Sequence, residues 1–207
     1  MISCSYAYGF KYADGSDSYG GYADYHRCHE HFVVKTPESI PSEEAAPMLC
    51  GGITVYAPLK LNGSDRVVAI SRKNSKREDA FKLGADEYIS TDHDADWAQK
   101  HAKSLDLVVS TVSPPKMPLD GYLNLLNPIS CQISLQFQSM MKGIRFGGSL
   151  IGAPWQIEEM LALVAEKNIR PWVNLRSMKD VNKAIVDFEE GIPRYRFVLV
   201  NEKHAGI

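Results

Sequence analysis

From residue 66 onward the chain alternates between short apolar runs and segments of helical character, and this alternation constrains the fold more than any other feature. Residues 66–71 (RVVAIS), 87–89, 105–111 (LDLVVST), 144–151, 171–175 and 195–200 read as strands. Residues 75–83 (stopped by Gly84), 94–103, 118–126, 155–167 and 179–190 read as helices. Strands this short and this apolar are covered on both faces, which a parallel sheet sandwiched between helices provides. The expected fold class is α/β, with a doubly wound parallel sheet and a ligand crevice at the carboxyl ends of its strands.

The first third of the chain is built differently. Asp14-Gly15 is a turn signal, and residues 22–34 suit an extended chain ending in Phe32-Val33-Val34. Pro37 and Pro41 punctuate a loop. A helix opens at Ser42, a plausible N-cap, with Glu43 and Glu44 at the positive end of the dipole. It is expected to run to about Tyr56 with Gly51-Gly52 inside it. A glycine within a helix costs ~1 kcal/mol against alanine, so close approach to the backbone is expected there.

Charge is nearly balanced, with 23 basic and 25 acidic residues, which argues against a nucleic-acid partner held by a basic surface. No apolar run nears the ~20 residues needed to cross a bilayer, and residues 1–12 lack the pattern of a leader. The expectation is a soluble cytoplasmic protein with no membrane partner. The cysteines, Cys4, Cys28, Cys50 and Cys131, have no repeating spacing and read as isolated residues rather than a disulfide framework.

A dinucleotide-binding sheet normally carries GxGxxG between its first strand and first helix, where the pyrophosphate meets the helix N-terminus. The motif is absent: the sequence passes from Asn62-Gly63-Ser64 straight to the strand at 66–71. The end of that strand reads Ser71-Arg72-Lys73-Asn74-Ser75-Lys76-Arg77. An acidic residue there would bind a ribose 2′-hydroxyl. Hydroxyl and basic residues instead suit the 2′-phosphate of NADP, or else form a solvated helix start. Cys50 is a buried core cysteine or a zinc ligand. On a strand, His26, Cys28 and Glu30 share one face and His29 and His31 the other, and neither face supplies four zinc ligands.

Several long strings resemble the zinc-type medium-chain dehydrogenase/reductase superfamily: 18–25 (SYGGYADY), 29–34 (HEHFVV), 70–89 (ISRKNSKREDAFKLGADEYI), 143–152 (GIRFGGSLIG) and 194–201 (RYRFVLVN). The run 40–56 (IPSEEAAPMLCGGITVY) narrows the resemblance to the cinnamyl-alcohol-dehydrogenase-like group in its fungal NADP-dependent form. The resemblance implies residues 1–41 as a remnant of the GroES-like catalytic domain and 42–170 as an incomplete NADP-binding domain. Residues 171–207 would return to the catalytic domain. It implies Cys50 as a catalytic-zinc ligand and Thr54, one helical turn on, beside the nicotinamide. Ser71, Arg72 and Lys76 would receive the 2′-phosphate, and Thr111, Ser113, Ser149, Ile151 and Arg196 would touch the rest of the cofactor. The implied cofactors are NADP and zinc, the implied reaction is reversible hydride transfer between aldehyde and primary alcohol, and the implied assembly is a homodimer joined at sheet edges.

The departures carry equal weight. The family's domain upstream of Tyr6, with its other zinc ligands and structural zinc lobe, has no counterpart in the sequence, and neither has the glycine turn before Arg66. A further strand of the form GGTFVQVG is missing around 127–132, where Cys131 matches nothing. No catalytic residue is assigned, because the proton relay and most zinc ligands are missing. Removing a first and a fifth strand would also expose pairing edges. Two readings follow: an NADP-dependent zinc alcohol dehydrogenase by family, impaired in this chain, or a non-enzymatic remnant. The second reading covers a splice product or mis-joined gene model able to bind a full-length homologue. A zinc-free, quinone-reductase-like protein is disfavoured by Cys50.

Overall fold

Asp14-Gly15 closes the turn expected of it. In the computed structural model, which describes residues 8–12, 14–26, 28–112, 116–127, 144 and 147–205, β1 (Tyr8–Lys11) pairs antiparallel with β2 (Asp17–Tyr19). Gly15 takes φ +83°, open to glycine without a Cβ penalty. Asp14 Oδ1 accepts the Ser16 N–H at 3.0 Å, and Lys11 Nζ donates to Asp17 Oδ1 at 2.7 Å.

The strand expected over 22–34 is not formed. The described residues 22–26 and 28–34 are irregular and largely exposed, with bends at 22–24 and one 3-10 turn at Glu30–Phe32. His29 Nδ1 accepts the His31 N–H at 3.1 Å. That side-chain bond satisfies locally a donor that a strand would have to pair with a neighbour. The strand-face grouping of His26, Cys28 and Glu30 falls with it.

The helix after Pro41 is longer than expected and interrupted. It comprises α1 (Ser42–Pro47), one π turn (Met48–Gly52) and α2 (Ile53–Leu61). Ser42 is the first helical residue rather than the cap, and Pro41, which has no side-chain acceptor, stands at the N-cap. The glycine pair lies in the π turn, the form a helix takes when it accommodates an extra residue.

Two compact units emerge: residues 1–53 with 152–207, and residues 54–151. In the second, β3 (Val68–Ser71) runs parallel to β4 (Glu87–Ser90), from Val68 opposite Glu87 to Ser71 opposite Ser90. A 3-10 turn (Asn74–Lys76) and α3 (Arg77–Lys82) connect them, and Gly84 ends the helix at φ +96°. The helix expected over 94–103 is only the single turn α4 (Trp97–Lys100), followed later by α5 (Leu119–Leu125). Ile89, Trp97 and Leu125 form a core onto which Val68, Ile70, Leu105 and Tyr122 pack. Trp97 seats against Gly121, where a Cβ would lie 2.7 Å from its ring.

Residues 105–111 do not form the expected strand. They make one parallel bridge, Leu105 to Leu126. Apolar content suits a strand there, but a ladder needs a neighbour in register, and β3 and β4 pair with each other alone among the described residues. Of the strand expected over 144–151, residues 144 and 147–151 are described and none is a strand.

In the other unit, α6 (Pro154–Lys167) matches its amphipathic pattern, burying Met160, Leu161 and Val164. Asn168, at φ +50°, ends it in the left-handed cap position. β5 (Val173–Ser177) runs parallel to β6 (Arg196–Val200), with α7 (Val181–Glu189) between them in sequence and α1 packed against both strands. Arg170 donates to Glu44 Oε2 at 2.9 Å and to the Ser39 carbonyl at 3.0 Å, tying the entry to β5 onto the start of α1. No described helix is long and apolar enough to cross a membrane.

Candidate functional site

The basic segment lies at the carboxyl end of β3. Ser71 is half-buried as the last strand residue, while Arg72, Lys73, Asn74, Ser75, Lys76 and Arg77 are exposed. The backbone of the turn is pinned from β4. The Tyr88 hydroxyl donates to the Lys73 carbonyl at 2.6 Å, and Ser90 Oγ donates to the Arg72 carbonyl at 3.0 Å. The N–H groups of Thr91 and Asp92 donate to the carbonyls of Ser71 and Arg72 at 3.0 and 2.9 Å. The Arg77 guanidinium lies over the rings of Phe81 and Tyr88, 5.5 and 5.8 Å from their centroids. The result is a turn held from β4 that follows Ser71 and carries the exposed cations Arg72, Lys73 and Lys76, at the strand end where an α/β sheet binds its ligand.

Tyr88 and Ser90 were not singled out from sequence. Their signal was present in strand periodicity: they alternate with Ile89, so both can face the β3 turn while Ile89 enters the core.

The remaining candidates in this unit are dispersed. Thr54 is half-buried in α2. Thr111 is exposed in a shallow, mainly apolar depression with Ser110, Val112, Met117 and Leu119. Ser149 is exposed, and Ser113 lies outside the described residues. Ile151 takes φ +55°, a left-handed conformation that costs a β-branched residue of order 1–3 kcal/mol. Strain of that kind concentrates at functional segments, and nothing in the sequence signals it.

The other unit brings two candidates to neighbouring positions. Cys50 is exposed in the π turn, and Arg196 opens β6. A Cβ on Gly51 would meet Arg196 Nη2 at 2.9 Å, so the missing side chain is what admits the guanidinium. Gly52 backs onto Met48 and Met160, with a Cβ there 3.3 and 3.6 Å from their side chains. The close approach expected at the glycine pair is therefore made by Arg196 on one residue and by core methionines on the other.

Catalytic zinc takes about three protein ligands. No three His, Cys, Asp or Glu side chains gather among the described residues, and the side chain packed on the residue after Cys50 is a cation. The described donor set does not fit such a metal. Cys4 and Cys131 lie outside the described residues.

No family model matches the chain. It is 36% identical over 237 positions to NADP-dependent alcohol dehydrogenase 6 of Saccharomyces cerevisiae, covering 93% of this chain and 64% of that protein. It is 32% identical to the mannitol dehydrogenase of Petroselinum crispum, covering 93% of this chain and 68% of that protein. A solved cinnamyl alcohol dehydrogenase from Sorghum bicolor superposes at a TM-score of 0.79 with 29% identity, over 90% of this chain and 63% of that one. The chain thus spans roughly two thirds of these relatives' length. The yeast alignment, at 237 positions, is longer than the 207-residue chain and so opens gaps within it.

Proposed function

Because the chain belongs to the zinc-type medium-chain dehydrogenase/reductase superfamily, in its cinnamyl-alcohol-dehydrogenase-like group, we propose that it is the NADP-binding part of an alcohol dehydrogenase. The observation that carries this reading is half-buried Ser71 at the end of β3 with exposed Arg72 and Lys76 on the turn that follows, and no acidic residue from 71 to 77. Arg72 and Lys76 would pair with the adenosine 2′-phosphate and Ser71 would hydrogen-bond it. Thr54, Thr111, Ser113, Ser149, Ile151 and Arg196 would hold the remainder of the cofactor. Residues 42–170 would then be the incomplete cofactor domain, and 1–41 and 171–207 pieces of the catalytic domain.

NADP supplies or accepts the hydride when bound, and what this chain's own residues do is select and orient its adenosine end. A complete relative would interconvert aldehydes and primary alcohols, as a cytoplasmic homodimer. This chain would bind cofactor with turnover severely impaired, since Cys50 stands without a fitting ligand set among the described residues and the glycine turn before Arg66 is missing from the sequence.

Calorimetric titration of the full chain tests the binding claim. Adenosine 2′,5′-bisphosphate should bind at least tenfold more tightly than 5′-AMP, as expected of charge-assisted bonds worth roughly 1.5–3 kcal/mol. Arg72→Glu combined with Lys76→Glu should erase that preference. Equal affinities of the parent chain for the two nucleotides would sink the reading.

A further inference from the structure

Ser75 is not assigned to the cofactor, yet it stands exposed within the same turn. Arg72 and Lys73 lie three and two residues before it, and Lys76 and Arg77 follow it. No other serine or threonine of this sequence has two Lys or Arg residues among the three before it. The backbone beneath the leading pair is held from β4, where Ser90 Oγ donates to the Arg72 carbonyl and the Tyr88 hydroxyl to the Lys73 carbonyl. Lys73 is extended, at φ −112° and ψ 153°. Ser75 itself sits in the single 3-10 turn Asn74–Lys76, which has no side-chain hydrogen bond at its N-cap. A three-residue 3-10 turn on the surface opens at little cost.

We propose that Ser75 is a phosphorylation site for a Ser/Thr kinase that reads basic residues ahead of its target, and that the phosphate switches this turn off as a nucleotide site. Kinases choose substrates by charge pattern, and two exposed cations held ahead of an exposed serine complement an acidic substrate groove. In the step, Ser75 Oγ attacks the γ-phosphorus of ATP, the bond from that phosphorus to ADP breaks, and the hydroxyl proton passes to the kinase's base.

Phosphoserine carries a charge of about −1.5 to −2 and three strong acceptor oxygens. At position 75 it stands next to Lys76 and three residues from Arg72, the two cations assigned to the adenosine 2′-phosphate. Charge-assisted bonds to it engage those cations, and it repels a second phosphate on the same turn. Glu78 and buried Asp79, the acids that follow, are outnumbered by the exposed cations at 72, 73, 76 and 77. The loss of nucleotide rests on the cofactor reading above, and the modification itself does not.

The full chain, incubated with magnesium ATP and the catalytic subunit of cyclic-AMP-dependent protein kinase, should gain phosphate at Ser75, read by peptide mass spectrometry. Lys73→Ala should slow that incorporation several-fold. Ser75→Ala should take no phosphate there and keep the parent preference for adenosine 2′,5′-bisphosphate over 5′-AMP. The phosphorylated chain should lose that preference, about tenfold or more in the parent, while still binding 5′-AMP. Ser75→Glu, which needs no kinase, should lower the preference several-fold. A native chain that takes no phosphate at Ser75, or a phosphorylated chain that keeps the preference, would overturn the inference. A parent chain without the preference, measured before any kinase is added, would take the cofactor reading and the switch down together.

Discussion

Replacing Gly51 by alanine sets two opposed effects against each other at the π turn. The new Cβ would lie 2.9 Å from Arg196 Nη2 and 3.5 Å from its Cζ. Ordinary contact begins near 3.5 Å, so the guanidinium end must swing aside by about 0.6 Å, which an exposed arginine achieves by torsion. Alanine in place of a helical glycine stabilises by about 1 kcal/mol. The net expectation is a gain of roughly 0–1 kcal/mol in stability, together with displacement of Arg196. Gly152→Ala provides the contrast within the same unit. Its Cβ would meet Ile53 Cγ1 at 2.7 Å and Cδ1 at 3.0 Å, and Ile53 is completely buried. A core side chain cannot swing into solvent, so overpacking should cost about 1–3 kcal/mol. Urea unfolding followed by circular dichroism separates the two variants by about 2 kcal/mol. Titrations add a functional readout: Gly51→Ala should weaken NADPH several-fold while leaving adenosine 2′,5′-bisphosphate unchanged, because Arg196 is assigned to the rest of the cofactor. A loss of 1 kcal/mol or more in Gly51→Ala would refute the claim that Arg196 yields, and unchanged NADPH affinity would remove Arg196 from the cofactor site.

Other perturbations follow from single contacts. Tyr88→Phe removes the hydroxyl that donates to the Lys73 carbonyl at 2.6 Å. It should cost about 1 kcal/mol in urea unfolding and weaken adenosine 2′,5′-bisphosphate several-fold with no change of charge; unaltered affinity would mean that the turn needs no pinning. Hydrogen bonds from Lys203 and then Asn201 hold the Asp24 carboxyl down at about 2, against an ordinary value of 3.8. Because the folded value is the lower one, this contribution to stability is fully present above about pH 4 and fades as the pH falls toward 2. The stability difference between the parent and Asp24→Asn should therefore shrink over that window, and a carboxyl titration by NMR should give a midpoint near 2; a midpoint at 3.8 would dissolve the contact with the C-terminal segment.

Which segments were legible depended on where their hydrogen bonds go. Helix 155–167 was readable because its bonds are internal and its apolar stripe has period 3.6, and the structure places α6 at Pro154–Lys167. Strands 66–71 and 195–200 were readable because their parallel partners, β4 and β5, are present in the chain. Residues 105–111 are as apolar as those strands yet form only one bridge among the described residues, because a strand is a relation between two segments and no second described segment pairs with this one in register. The error at 22–34 has the same root: a histidine side chain offered a local bond and no neighbouring strand competed among the described residues.

The sequence by itself determined the α/β class, the family, and the basic character of the 71–77 turn, since these rest on composition, periodicity and contiguous strings. Only the tertiary structure decided what lies beside what. It showed Tyr88 and Ser90 holding that turn from the neighbouring strand, and the Arg196 guanidinium occupying the space a side chain at position 51 would need. Each of these is a contact between residues far apart in the chain, and residue type and spacing along one strand of sequence do not encode the distance between two.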